Sequence, residues 1–104
     1  MTHLPPHTLK VGPFIYRVEL DNAPDGSLAI TDTDTLVMTL DPSMPDSKMQ
    51  TILIHEILHC LTEITGLAQE WSEKKEEEVV SRLAPALMSV LKDNPNLIAY
   101  LLGD

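Results

Sequence analysis

The sequence predicts an α+β fold in which a small antiparallel β-sheet packs on two long helices. Residues 9–40 hold short alternations of apolar and polar side chains between turn residues, a pattern typical of paired strands. Residues 46–65 are largely apolar, and residues 72–92 repeat apolar side chains at helical spacing. The 104 residues suffice for one hydrophobic core, so we expect a single domain over residues 1–104.

Three strands are predicted ahead of the helices. The first follows Gly12-Pro13 within residues 9–20, where β-branched and aromatic side chains are enriched. A dense group of turn residues at 22–27 separates it from a second, short strand at 28–31. Residues 35–40 form the third strand. Because this strand directly precedes the first helix, we expect it to lie at the edge of the sheet.

The first helix is predicted over residues 46–65. Pro45 suits a first helical turn, Ser43 is the candidate N-cap, and Gly66 marks the end of the helix. The middle of the segment is apolar nearly all round, which indicates a buried helix. Polar side chains in this helix therefore need partners, because burying an unsatisfied polar group costs several kcal/mol.

The second long helix is predicted over residues 72–92, with apolar side chains on its inner face. These side chains are Val79, Val80, Leu83, Leu87, Val90 and Leu91. Pro85 lies inside the pattern and predicts a kink or a break, because proline lacks the amide hydrogen that a helix needs. Asn94-Pro95-Asn96 ends this helix, and a short terminal helix is expected over residues 97–102.

The composition argues against several classes of partner. Nucleic acid and anionic membranes favour Lys/Arg patches, whereas the formal net charge of this chain is −9. The only cysteine, Cys60, is expected in the core; it allows no internal disulfide, which fits a reducing compartment. Residues 1–10 show no apolar signal segment, and no apolar run approaches membrane-spanning length. We therefore expect a cytoplasmic protein without a membrane partner.

Three polar residues, His55, Glu56 and His59, interrupt the apolar first helix. Histidines four residues apart share one helical face, so both can bind one zinc ion through bonds of about 2.0–2.1 Å. Glu56 would lie beside that ion and act as a general base on a zinc-bound water. This is the H-E-x-x-H pattern of zinc metallopeptidases. A structural zinc site and a metal-free surface helix are the alternatives.

A catalytic zinc site needs a third protein ligand. The two remaining histidines, His3 and His7, lie in a proline-containing N-terminal segment, far from the motif in sequence. The better candidates are the carboxylates at the start of the second helix. They are Glu73, Glu76, Glu77 and Glu78.

Glu77 is the preferred third ligand, because it precedes Val80 by three residues and Ala84 by seven and so continues the apolar stripe. Glu76 precedes Val80 by four residues and stays an alternative. Glu78 is a further alternative, although the residues three and four positions after it, Ser81 and Arg82, are polar. Most of this acidic run is expected to be a solvated helix N-terminus, where acidic side chains also favour the helix dipole.

The chain resembles the small zincin-like metallopeptidases common in bacteriophage and prophage genomes, which are related to the ImmA/IrrE and SprT-like peptidases. The resemblance rests on the segment Thr51-Ile52-Leu53-Ile54-His55-Glu56-Ile57-Leu58-His59, on the helix Glu77-x-x-Val80-x-x-Leu83-Ala84-x-x-Leu87, and on the ending Asp93-Asn94-Pro95. It implies a minimal zincin-like fold and a gluzincin-type zinc site formed by His55, His59 and a downstream glutamate, for which Glu77 is the best match. It also implies a phage-type protein acting in the host cytoplasm.

These features lead to two hypotheses of function. The first is a zinc metallopeptidase that hydrolyses peptide bonds of a polypeptide substrate, with Glu56 as the catalytic base. In zincins the edge strand binds the substrate backbone by strand addition, and Tyr16, Tyr100 and Arg82 are the candidate donors to the oxyanion. The second is a non-catalytic, zinc-stabilised protein that acts as a protein-binding module.

Overall fold

The structure is a computed structural model that describes residues 4–23 and 25–103, and it shows the predicted α+β class. Four strands form one mixed sheet, and the helices follow in the second half of the chain. The strands are β1 (Thr8–Val11), β2 (Phe14–Leu20), β3 (Ala29–Asp32) and β4 (Val37–Leu40). The helices are α1 (Asp46–Thr65), α2 (Leu67–Glu70), α3 (Glu73–Asp93) and α4 (Pro95–Leu101).

The sheet has the order β1-β2-β4-β3, which corrects two predictions. The sheet is not purely antiparallel, because β2 and β4 are parallel, with Val18 opposite Met38. The third predicted strand, residues 35–40, is not at the edge either. After β2 the chain crosses to the far edge as β3 and turns back as β4 into the gap beside β2. In this β3–β4 hairpin, β4 runs parallel to β2, and β3 is left as the edge strand.

An additional strand, β1, precedes the first predicted one. It pairs with β2 in an antiparallel hairpin, and Gly12 occupies the turn with a φ of +59°. A side chain at this position would be strained and would also approach Ile64 of α1 to 3.0 Å. Glycine at this position therefore lets the hairpin pack close to α1.

The core lies between the sheet and α1. Tyr16 and Met38 from the sheet pack with Cys60 of α1, which confirms Cys60 as a core residue. A second group joins Leu40 to Met49 at the start of the helix. Since α3 packs on the other side of α1, that helix is covered on two sides only. Most of its middle residues are consequently half-buried, and the expectation of a helix buried all round is wrong.

The ends of α1 and α3 follow local sequence signals with one exception. Helix α1 ends at Gly66, which has a φ of +85°, and Ser72 caps α3 by accepting a hydrogen bond of 3.1 Å from the amide of Lys75. Ser43 is not the N-cap of α1. Its amide and hydroxyl both donate to Asp41, so it closes the preceding turn, and Pro45 occupies the cap position.

Helix α3 continues through Pro85 from Glu73 to Asp93, so the predicted break does not occur. Pro85 and Ser81, whose carbonyl loses its usual partner, are both exposed, and water can satisfy that carbonyl. Among the described helices, none combines the length and the apolar character needed to cross a bilayer.

Candidate metal centre

Helix α1 presents His55 and His59 on one face. Their ring centroids are 4.8 Å apart, and their Nε2 atoms are separated by 3.2 Å. Both side chains are largely buried, with exposed fractions of 18% and 24%. The two imidazoles therefore point their outer nitrogens at one common position at the edge of the α1–α3 contact.

Glu77 of α3 reaches the same position. Its Oε1 lies 3.2 Å from Nε2 of His55, and its Oε2 lies 2.9 Å from Nε2 of His59. The Ser81 hydroxyl, one turn further along α3, donates a hydrogen bond of 2.9 Å to Oε1 of Glu77. The structure thus brings together the three residues that the sequence selects as zinc ligands, His55, His59 and Glu77, within 4.8 Å of one another.

Zinc fits this donor set. Two imidazole nitrogens and a carboxylate oxygen are ligands that zinc prefers, and bonds of about 2.0–2.1 Å in tetrahedral geometry place neighbouring ligand atoms about 3.3 Å apart. The Nε2 atoms of the two histidines are 3.2 Å apart, close to that value, and each lies 2.9–3.2 Å from a different oxygen of the Glu77 carboxylate. Three electron-pair donors this close repel one another unless a cation or a bound proton lies among them.

Glu76 contacts the other side of the His59 ring. Its Oε2 forms a short hydrogen bond with Nδ1 of His59, and its side chain is largely buried. A proton held at Nδ1 leaves the lone pair of Nε2 directed at Glu77, which is how carboxylates beyond the ligands orient metal-binding histidines. Glu76, an alternative ligand on sequence grounds, therefore takes an orienting position. Glu78 is exposed and is not part of the cluster among the described residues.

Glu56 points toward the sheet. It is the only buried charged residue in the described part of the chain, at 9% exposure, and its Oε1 accepts a hydrogen bond of 2.6 Å from the hydroxyl of Thr31 on β3. Sequence reasoning missed Thr31. The only available signal was indirect: a buried carboxylate requires a donor, and nothing in the sequence says which strand supplies it.

The pKa of Glu77 lies below the ordinary value of a glutamate. Partial burial acts in the opposite direction, but the Ser81 hydroxyl and the imidazoles of His55 and His59 outweigh it. The carboxylate is therefore ionised at neutral pH, the form in which it can bind a cation.

The three candidate oxyanion donors do not join the cluster. Tyr16 is buried in the core at 2% exposure, and burial together with the Cys60 side chain raises its pKa to about 12. It is therefore not available to a substrate. Tyr100 on α4 is 79% exposed and Arg82 is exposed on α3, and neither contacts the motif residues within the described chain.

Other predicted positions have structural roles. His7 is exposed ahead of β1, where its carbonyl accepts a hydrogen bond from Val18, and His3 lies outside the described residues. Asp32 closes the β3–β4 turn by accepting hydrogen bonds from the amides of Asp34 and Thr35. Asp32 is therefore a turn residue.

No family model, curated protein or solved structure matches the chain. The similarity to zincin-like peptidases therefore stays a prediction, and the geometry of the cluster carries the functional argument.

Proposed function

We propose that this protein is a zinc-dependent metallopeptidase whose zinc is held by His55, His59 and Glu77. One observation carries the proposal. The Nε2 atoms of the two histidines on α1, 3.2 Å apart, and the carboxylate of Glu77 on α3 converge within 4.8 Å of one another. A buried carboxylate, Glu56, directly follows the first of the two histidines.

The chemistry divides between the metal and the chain. Zinc, when bound, supplies a Lewis acid that polarises a carbonyl and makes water more acidic. Glu56 would accept a proton from the attacking water and deliver it to the leaving amine. Thr31 holds Oε1 of Glu56, whereas Oε2 makes no hydrogen bond within the described residues, so this second oxygen is the one assigned to proton transfer.

The substrate in this proposal is an extended polypeptide. Strand β3 is an edge strand, so one side of its backbone has no neighbouring strand in the described sheet. Such an edge can bind an extended peptide by main-chain hydrogen bonds. Because Thr31 belongs to this strand and also contacts Glu56, a peptide added along β3 would lie next to the proposed catalytic base.

The decisive experiment combines metal analysis with a peptidase assay on wild type and Glu56→Gln. Glutamine keeps an oxygen that can accept the hydrogen bond of Thr31, so the fold should be preserved. We expect about one zinc per chain in both proteins and cleavage of unfolded casein or a quenched peptide mixture by wild type only. Cleavage by Glu56→Gln would refute the mechanism, and failure of both proteins to bind zinc would refute the metal site.

The second candidate is a non-catalytic protein-binding module whose zinc joins α1 to α3. The exposed position of Glu77, with 57% of its side chain accessible, favours this alternative because a shallow site encloses little substrate. Here His55→Ala would lower the melting temperature, while Glu56→Gln would leave both zinc content and stability unchanged. Zinc binding without cleavage of any peptide pool would support this reading over the first.

A further inference from the structure

An apolar groove of about 180 Å³ lies between α1, α2 and α3, and none of the residues of the metal cluster lines it. Its walls include Leu58 and Leu61 of α1, Trp71 after α2, and Val79 and Leu83 of α3. Apart from two threonines the lining is apolar, and no charged residue contributes to it. Leu61 and Leu83 at its rim are 39% and 52% exposed.

A ridge of exposed side chains continues from the groove along α3. Leu83, Leu87 and Val90 are spaced by four and three residues and therefore share one helical face. They are 52%, 40% and 47% exposed. The ridge and the groove meet at Leu83, so together they form one apolar surface, which we call the α1–α3 face.

The exposed area is large for a chain of this size. Helix α4, which packs on α3, adds further exposed side chains, namely Ile98, Tyr100, Leu101 and Leu102. Together with Leu61, Leu83, Leu87 and Val90 these residues are about half exposed on average. Complete burial of an aliphatic side chain hides about 60–120 Å², so the eight residues offer on the order of 400 Å² of apolar area. Slightly more than half of a specific interface is apolar. A standard specific interface takes about 800 Å² from each partner.

A second copy of the chain is the occupant that fits this surface. In a two-fold contact the same surface serves both partners, so it must carry a projection together with a recess that accepts it. The α1–α3 face has both, since the ridge at Leu83–Val90 adjoins the groove. Val79 and Leu83 line the groove of each chain. In the dimer they would contact the ridge of the partner chain.

The charge distribution supports self-association through this part of the molecule. Residues 79–103 contain Arg82, Lys92 and Asp93 as their only charged side chains, whereas the whole chain has a net charge of −9. Two such acidic molecules repel each other wherever their acidic parts approach. The groove itself is flanked in sequence by the exposed Glu63, Glu70 and Glu78, so contact with a ridge that adjoins Arg82 and Lys92 brings opposite charges together.

We infer that the protein forms a two-fold symmetric homodimer through the α1–α3 face, with the Leu83–Val90 ridge of each chain in the groove of the other. This inference is independent of zinc binding and of peptidase activity, since neither the ridge nor the groove contains His55, Glu56, His59 or Glu77.

Sedimentation velocity on the purified protein, across a range of micromolar concentrations, tests the inference. Wild type should sediment with twice the mass of one chain. Leu83→Arg places a charge at the centre of the contact and should raise the dimer dissociation constant at least about 30-fold. Ile15→Arg is the matched control, because Ile15 is 60% exposed on β2, outside this face, and should leave the dimer intact.

Circular dichroism establishes that the variants are folded, which we expect because Leu83 is more than half exposed. Should Leu83→Arg unfold, Leu61→Gln on the opposite wall of the groove provides a milder variant with the same expected direction. A wild type that stays monomeric throughout the concentration range would overturn the inference. So would a dimer that persists in a folded Leu83→Arg or Leu61→Gln protein, or one that Ile15→Arg dissociates.

Discussion

The hydroxyl of Thr31 on the edge strand donates a hydrogen bond of 2.6 Å to the buried carboxylate of Glu56, which lies 25 residues later on α1. This bond connects the open edge of the sheet to the helix that carries the two histidines. It also fixes the orientation of a carboxylate that has few other partners. The sheet thereby contributes to the candidate site although it supplies none of the zinc ligands.

Replacement of Thr31 by valine should destabilise the fold, because Glu56 would lose its donor while the side-chain shape is kept. The loss of a hydrogen bond to a buried carboxylate predicts a decrease of about 1–3 kcal/mol in the free energy of unfolding, measured by urea denaturation. Thr31→Ser should recover most of this loss. Thr33→Val, in the exposed turn after β3, serves as the control. Equal stability of Thr31→Val and wild type would show that the bond contributes nothing.

Removal of the third ligand should weaken zinc binding much more than a change at its neighbour. Glu77→Gln removes the negative charge next to Nε2 of both histidines and should reduce zinc affinity by more than about 100-fold, beyond the range seen when only outer contacts are lost. Glu78→Gln makes the same chemical change one residue later, at an exposed position, and should bind zinc normally. Isothermal titration with zinc compares the two, and equal affinities would exclude Glu77 as a ligand.

Glu76 should act on zinc indirectly, through the orientation of the His59 ring. Glu76→Gln keeps a hydrogen-bond acceptor but removes the charge next to Nδ1, so we expect zinc affinity to fall by about 10–100-fold. Zinc should still bind with unchanged stoichiometry, because all three ligands remain. A loss of stoichiometric binding would instead identify Glu76 as a ligand, and an unchanged affinity would remove its orienting role.

Alkaline solution should destabilise the protein through Tyr16. Its pKa is raised from 10.0 to about 12 in the folded state, so the neutral phenol stabilises the fold fully below pH 10, and this contribution is lost as the pH rises toward 12. A shift of this size corresponds to roughly 2–3 kcal/mol. Urea denaturation from pH 9 to 11 should therefore show about half of this loss, roughly 1.3 kcal/mol, in the stability of wild type.

Tyr16→Phe should flatten this alkaline slope, whatever its effect on stability at neutral pH. Tyr100→Phe removes a hydroxyl from a tyrosine that is 79% exposed and should leave the slope unchanged. A slope that Tyr16→Phe does not alter would assign the alkaline loss to other groups.

The sequence predicts the helices of this protein better than its sheet. The bounds of α1 agree with the prediction, and α3 agrees within one residue, because Gly66, Ser72 and the apolar periodicity are local signals. The order of the strands depends on contacts between distant segments. Strands of four residues, such as β3 and β4, hold too little pattern to fix their neighbours or their direction.

The site shows the same division between local and distant information. The convergence of His55 and His59 follows from their spacing on one helix, and Glu77 follows from the register of the α3 stripe. The positions of Glu76 and Thr31 depend on how closely α3 and β3 approach α1, which no local pattern encodes. Those two contacts therefore emerge only from the folded chain.

We expect the sheet with α1 and the pair α3–α4 to open as two units, because α3 and α4 reach the sheet mainly through α1. Among the described helices α1 packs extensively on the sheet, whereas α3 packs on α1 and α4. The cluster of His55, His59 and Glu77 spans the boundary between these units. Chelation of a bound zinc should therefore let α3 and α4 open as a separate foldon, with faster amide hydrogen exchange there than in the sheet. The metal content would then control local opening of one half of the molecule.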